Sequence, residues 1–149
     1  MHTLQDLIIT SSTFRENSKL KSALSSSKLS HICSFQVTIP RAVLQKTKTK
    51  NFYTYEINIK SKNGLEAWTI FKRYREFASL HKKLKKDNIQ IKILDFPPKK
   101  KLGNLDYDFV EHRRQRLQVY LKHLIQNLPE LANCETRMSL EAKFPFFRN

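Results

Sequence analysis

Glycine is nearly missing from this chain: 2 residues in 149, alongside 5 prolines and 2 cysteines. A loop that wraps closely around a nucleotide phosphate needs glycine where the backbone approaches, so a glycine-rich nucleotide cradle is excluded. Cys33 and Cys134 lie far apart and in no paired spacing, which argues against a zinc site or a disulfide framework and predicts a reduced, intracellular protein. The histidines His2, His31, His81, His112 and His123 show no ligand spacing, so no metal and no cofactor is expected, and His81 and His112 read as polar helix faces. No apolar run approaches the roughly 20 residues that cross a bilayer. The apolar patch over residues 7–10 is also too short for a secretory signal. Acidic residues are scarce as well. Against 28 Lys and Arg there are 13 Asp and Glu, a net charge of +15 that favours polyanionic partners: nucleic acid, anionic lipid or an acidic protein surface. No nucleophile stands beside a recognisable base, and Asp106 and Asp108 read as helix caps rather than a general acid and base, so no enzyme is expected.

What the chain does have is a 40% hydrophobic composition with 10 Phe, 5 Tyr and one Trp, enough for one compact core. Residues 1–30 are rich in Ser and Lys without sustained periodicity and read as a flexible N-terminal extension. Residues 31–149 form the expected domain and hold nearly all of the positive charge. Residues 32–39 make a short strand that Pro40 should stop. Tyr53, Tyr55, Ile57 and Ile59 alternate with polar residues as a half-buried strand does, residues 61–64 carry the Asn-Gly pair of a tight turn, and residues 65–72 form the next strand. Phe77, Leu80 and Leu84 then take up helical spacing. A longer helix is predicted over about 108–128, capped by Asp106 or Asp108 and ended by Pro129, with Arg113, Arg114 and Arg116 on its exposed faces. A last segment, apolar at Met138, Leu140, Phe144, Phe146 and Phe147, should fold back over the core until Pro145 breaks it. The expected fold is α+β: a three-stranded antiparallel β-meander against a helical subdomain of three to four helices, with a proline-rich connector between helices.

The strand that enters at Trp68 runs into Arg73-Tyr74-Arg75-Glu76-Phe77, where a basic and aromatic cluster opens a helix. Between the helices, Phe96-Pro97-Pro98-Lys99-Lys100 gives a stiff, extended segment, since proline fixes φ and can present a following lysine in a set direction. The third element is Arg113-Arg114-Gln115-Arg116-Leu117-Gln118-Val119-Tyr120-Leu121. Together, and in this order after a meander, they resemble the PX (phox homology) domain of the sorting nexin family over about residues 32–147. The first matches the family's Arg-Tyr-x-x-Phe, the second its large-apolar-Pro-x-x-Lys element, the third its basic helix ending in Leu-x-x-Tyr-Leu.

The resemblance implies a reader of phosphoinositide headgroups, most often phosphatidylinositol 3-phosphate, on the cytoplasmic face of early endosomal membranes, with protein partners in sorting and trafficking. It implies that Arg73 binds the 3-phosphate through its forked donors, that Tyr74 packs its ring against the inositol, and that Lys99, or Lys100 in its place, meets the 1-phosphate. Arg113, four residues before Leu117, is implied to bond the 4- and 5-hydroxyls. Leu102, Leu105, Tyr107 and Lys101 are the implied membrane contacts. Residues 72–101 carry 11 Lys and Arg against Glu76, Asp87 and Asp95, more charge than one headgroup needs and suited to an anionic leaflet. Two other readings stand beside this one: a basic nucleic-acid-binding module, which lacks a base-reading motif, and a protein-interaction scaffold on the same fold. The chain is expected to be a module of a longer protein or a short isoform.

Overall fold

The computed structural model describes residues 33–87, 91, 94–101 and 103–149. The expected extension over residues 1–30 lies outside them. Three antiparallel strands in the order β1-β2-β3 span Phe35–Lys46, Asn51–Ser61 and Ala67–Lys72. Their registers set Val37 against Ile59, Ile59 against Trp68, and Ile57 against Ile70, so one face of the sheet is largely apolar and buried. Gly64 takes the positive φ of the β2–β3 turn, at +77°. The Asn63 carboxamide oxygen closes that turn by accepting from Ser61 Oγ at 2.7 Å and the Leu65 amide at 3.0 Å. Leu65 itself is exposed, and β3 begins two residues later than alternation alone predicts.

Pro40 does not end the first strand. Ile39 and Pro40 together oppose Ile57, a bulge between the pairs Thr38–Asn58 and Arg41–Glu56, after which pairing resumes to Lys46. A proline is tolerated there because β1 is an edge strand and the ladder is already interrupted. The polar backbone groups of Ile39 are taken up elsewhere: its amide donates to Gln118 Oε1 at 2.8 Å, and its carbonyl accepts from Arg114 Nη1.

The helical layer comprises α1 (Tyr74–Asp87), α2 (Tyr107–Asn127), the short α3 (Pro129–Ala132) and α4 (Arg137–Lys143), followed by a 3₁₀ turn over Pro145–Phe147. Asp106 caps α2, its carboxylate accepting the Asp108 amide at 3.1 Å. Pro129 follows the end of α2 and occupies the first turn of α3, where its missing N–H costs nothing. Thr136 and Ser139 form a capping box at the start of α4. Leu140, Phe144 and Phe147 pack inward as expected, but Met138 is 81% exposed, because it stands on the outward side of a helix of only two turns. Phe77, fully buried, joins the two layers: its ring meets Tyr55 of β2 edge-on at 6.0 Å and Phe146 at 5.1 Å. Trp68 ties the sheet to the C-terminal turn by donating Nε1–H to the Phe147 carbonyl at 3.2 Å.

Candidate functional site

The residue between β3 and α1 is Arg73. Its amide donates to the Glu76 carboxylate at 2.8 Å, the N-terminal lock in which an acid three residues into a helix reaches back to the cap. With the backbone fixed, the Arg73 guanidinium lies over the Phe52 ring of β2, 3.9 Å from its centroid. Neither Glu76 nor Phe52 stood out in the sequence as part of a site. The Glu at that offset from a helix start was the available signal for one; Phe52 is reached only through strand register.

Tyr74 begins α1 and bonds directly to the connector: its hydroxyl donates to the Pro97 carbonyl at 2.7 Å, and its ring stacks on Phe96 at 5.8 Å. Arg113 of α2 completes the junction. It does not lie on an exposed face. It is only 6% exposed, because it falls on the same helical stripe as Val110, Leu117, Tyr120 and Leu124. Its Cζ sits 3.9 Å from the Tyr74 ring centroid and 4.4 Å from that of Phe109, and its Nη2 donates to the Pro98 carbonyl at 3.2 Å. Its Nε is buried with no hydrogen-bond partner among the described residues. A guanidinium held between aromatic rings is stabilised by their quadrupoles, which offsets part of the cost of a buried donor left unpaired. Burial pushes the Tyr55 phenol up from its ordinary pKa, and the nearby Arg113 charge partly offsets this. Phe109, one turn before Arg113, is a further site residue; its spacing of four was the clue.

Arg114 and Arg116 are also less exposed than their polarity predicts. Arg114 is held between Glu111 and the Ile39 carbonyl, and its guanidinium keeps the Glu111 carboxyl below its usual range. Arg116 pairs with Asp95 at 2.8 Å, pinning the connector to α2. Lys100 is half-buried with its ammonium 4.0 Å from the Phe109 centroid, whereas Lys99 and Lys101 are exposed. Gly103, at φ +72°, lies beside Lys100: a Cβ there would stand 3.3 Å from its Nζ. Leu105 and Tyr107 are 48% and 70% exposed, and Leu102 lies outside the described residues. The structure therefore gathers Tyr74, Arg113, Lys100 and the prolines into one bonded cluster, with Arg73 adjoining Tyr74 in the chain and Lys99 exposed beside it.

His81 belongs beneath this cluster rather than on a polar helix face. Its ring stacks on Phe96 at 4.6 Å and only 6° from parallel, and Nδ1 lies 3.0 Å from the Tyr120 hydroxyl. Burial first, and the Lys85 charge second, lower its pKa. Below the usual imidazole pKa of about 6.5 the unfolded chain takes up a proton that the folded chain resists, so stability falls with pH through that range. Melting temperatures at pH 7.5 and 5.5 check this. The native chain should lose more on acidification than His81→Gln, which keeps a polar group but cannot titrate; equal losses would remove His81 as the cause. His112, by contrast, is exposed as expected.

Comparison with known proteins bears on this geometry. Mouse kinesin-like protein KIF16B is 38% identical over 87 residues, covering 58% of this chain and 6% of that protein. The rat serine/threonine-protein kinase Sgk3 is 35% identical over 98 residues, covering 65% of this chain and 19% of that protein. Mouse sorting nexin-13 is 32% identical over 94 residues, covering 58% of this chain and 10% of its own length. This chain thus spans a small part of each of these relatives. Among solved structures, a designed CISK-PX domain aligns with a TM-score of 0.56 at 33% identity, over 67% of this chain and 92% of that one. The mouse SNX19 PX domain shares the fold at 24% identity with a TM-score of 0.53, over 74% and 96% of the two chains. The sequence profile of the PX domain matches residues 60–140, from the second strand through the cluster to α4. That match covers more than half of the chain and takes in the Arg-Tyr helix start, the proline connector and the basic helix, and this chain belongs to the family: it is a PX domain.

Proposed function

We propose that this PX domain is a phosphoinositide-binding membrane-targeting module, that its preferred lipid is phosphatidylinositol 3-phosphate, and that it acts from the cytoplasm at early endosomal membranes in sorting and trafficking. The observation that carries the proposal is Arg113: a buried guanidinium, oriented by two rings and the Pro98 carbonyl, with an Nε donor that has no partner among the described residues. A guanidinium fixed in this way suits ring hydroxyls as acceptors. Bonding the 4- and 5-hydroxyls would leave no room for phosphates there, which is how the site would discriminate. Arg73 meets the 3-phosphate with its fork of donors, and a phosphomonoester carries close to two charges for it to pair. Tyr74 forms the inositol wall. Lys99 takes the 1-phosphate rather than Lys100, whose ammonium is already engaged over Phe109.

In this reading Lys101, Leu102, Leu105 and Tyr107 touch the bilayer, and the surplus basic charge prolongs residence at an anionic surface, each residue near the surface contributing on the order of 1 kcal/mol. Residues 1–30 act as an extension to a domain of residues 31–149. Co-sedimentation at physiological salt with liposomes carrying each phosphoinositide in turn tests the proposal. Binding concentrated on the 3-phosphorylated lipid supports it; equal binding to every anionic liposome, falling steeply with salt, would return the charge to a nonspecific polyanion surface such as one for nucleic acid.

A further inference from the structure

A groove of about 660 Å³ runs along α1, away from the cluster just described: Arg73, Tyr74, Lys99 and Arg113 do not line it. Its floor is apolar, built from Leu80 and Leu84 of α1, Leu128 after α2, and Phe144 and Phe146 of the C-terminal turn. Its rim is charged. Arg75, Lys83 and Lys143 stand around it exposed, and none of them pairs with a carboxylate among the described residues. Glu76, on the same rim, is committed: it accepts the Arg73 amide and lies 3.9 Å from Lys72. Asp87 and Glu130 line the groove where α1 ends and α3 begins, and Lys83 stands one turn before Asp87, so the free cations are spread along the groove rather than gathered at one end.

We propose that this groove docks a short acidic segment of a protein partner, one carrying large apolar side chains among its carboxylates. The apolar floor supplies anchor sites, and three unpaired cations supply the complementary charge. The size agrees: the 14 residues of α1 make a wall about 20 Å long, which matches about six residues of extended chain.

Selection of random 12-residue peptides on the intact chain tests this. The enriched peptides should combine at least two carboxylates with Leu, Phe or Trp. A synthesised winner should bind Lys83→Glu/Lys143→Glu at least tenfold more weakly, bind Arg73→Ala as well as the native chain, and leave the melting temperature of the double variant unchanged. The proposal is overturned if nothing is enriched, if the enriched peptides are neutral or basic, or if Arg73→Ala abolishes their binding, which would place them in the headgroup cleft. It is likewise overturned if the double charge reversal dissolves a dimer seen by light scattering, which would assign the groove to a second copy. Displacement of the winner by phosphatidylserine vesicles lacking any phosphoinositide would assign it to lipid.

Discussion

Arg73→Ala should lower affinity for vesicles carrying phosphatidylinositol 3-phosphate about 100-fold or more, equivalent to roughly 3 kcal/mol. The side chain is the guanidinium assigned to the 3-phosphate, where it can donate two parallel hydrogen bonds, and the other guanidinium of the proposed site, Arg113, is committed to the ring hydroxyls. Arg73→Lys keeps the charge but loses both the fork and the guanidinium's place over Phe52, so it should recover only part of the loss and remain about tenfold weaker than the native chain. The fold should survive both changes, because the bond that starts α1 uses the Arg73 backbone amide and the Glu76 carboxylate, neither of which is altered. Vesicle binding measured beside thermal melting separates the two effects. Undiminished binding by both variants, with melting unchanged, would remove Arg73 from the site and with it the headgroup reading.

The second large effect concerns stability. Phe77→Ala should cost about 3–5 kcal/mol, a large share of the 5–15 kcal/mol that holds a typical domain together. Phe77 has no exposed surface and is gripped edge-on from two sides, by Tyr55 of the sheet and Phe146 of the C-terminal turn. Removing its ring leaves a cavity where the layers meet, and Tyr55, buried at the same junction, cannot collapse into it without moving β2. Urea titration should show the midpoint falling with little change in slope. A loss below about 1 kcal/mol would mean that the layers hold together without this contact. Because Phe77 touches the core and not the cleft, vesicle binding by the folded fraction, measured at low temperature, should stay near native.

Much of this architecture was readable before any coordinates. The alternation from Tyr53 to Ile59, the spacing of Phe77 and Leu80, and the Asp106 cap are local signals, and each carries its structure within a few residues. Two of the departures share one cause: a partner distant in the chain decides the outcome. Pro40 stops a strand in local terms, but Gln118 and Arg114, 79 and 75 residues from Ile39, satisfy the backbone that the bulge frees. His81 is polar and sits on an amphipathic helix, yet Phe96 covers it from the connector. Polarity predicts an exposed face for Arg113, and the structure buries it. Its register with Val110 and Leu117 already put it on the buried stripe, and a stricter use of the 3.6-residue period would have shown this. Spacing does not separate Lys99 from Lys100, and the contact of Lys100 with Phe109 is what supports Lys99 in the proposal.

The bulge at Ile39 has a consequence for anyone transplanting this site. Helix α2 is seated on β1 by two side chains one turn apart, Arg114 and Gln118, both fastened to the same residue. That fastening works as a keyway: it fixes the rotation of the helix about its axis, and Arg113, next to one of the keys, inherits its aim from it. One residue of slip would turn the helix by about 100° and carry Arg113 away from Tyr74. Grafting the basic helix alone into another scaffold would therefore move the sequence without its aim, and the irregular first strand has to travel with it.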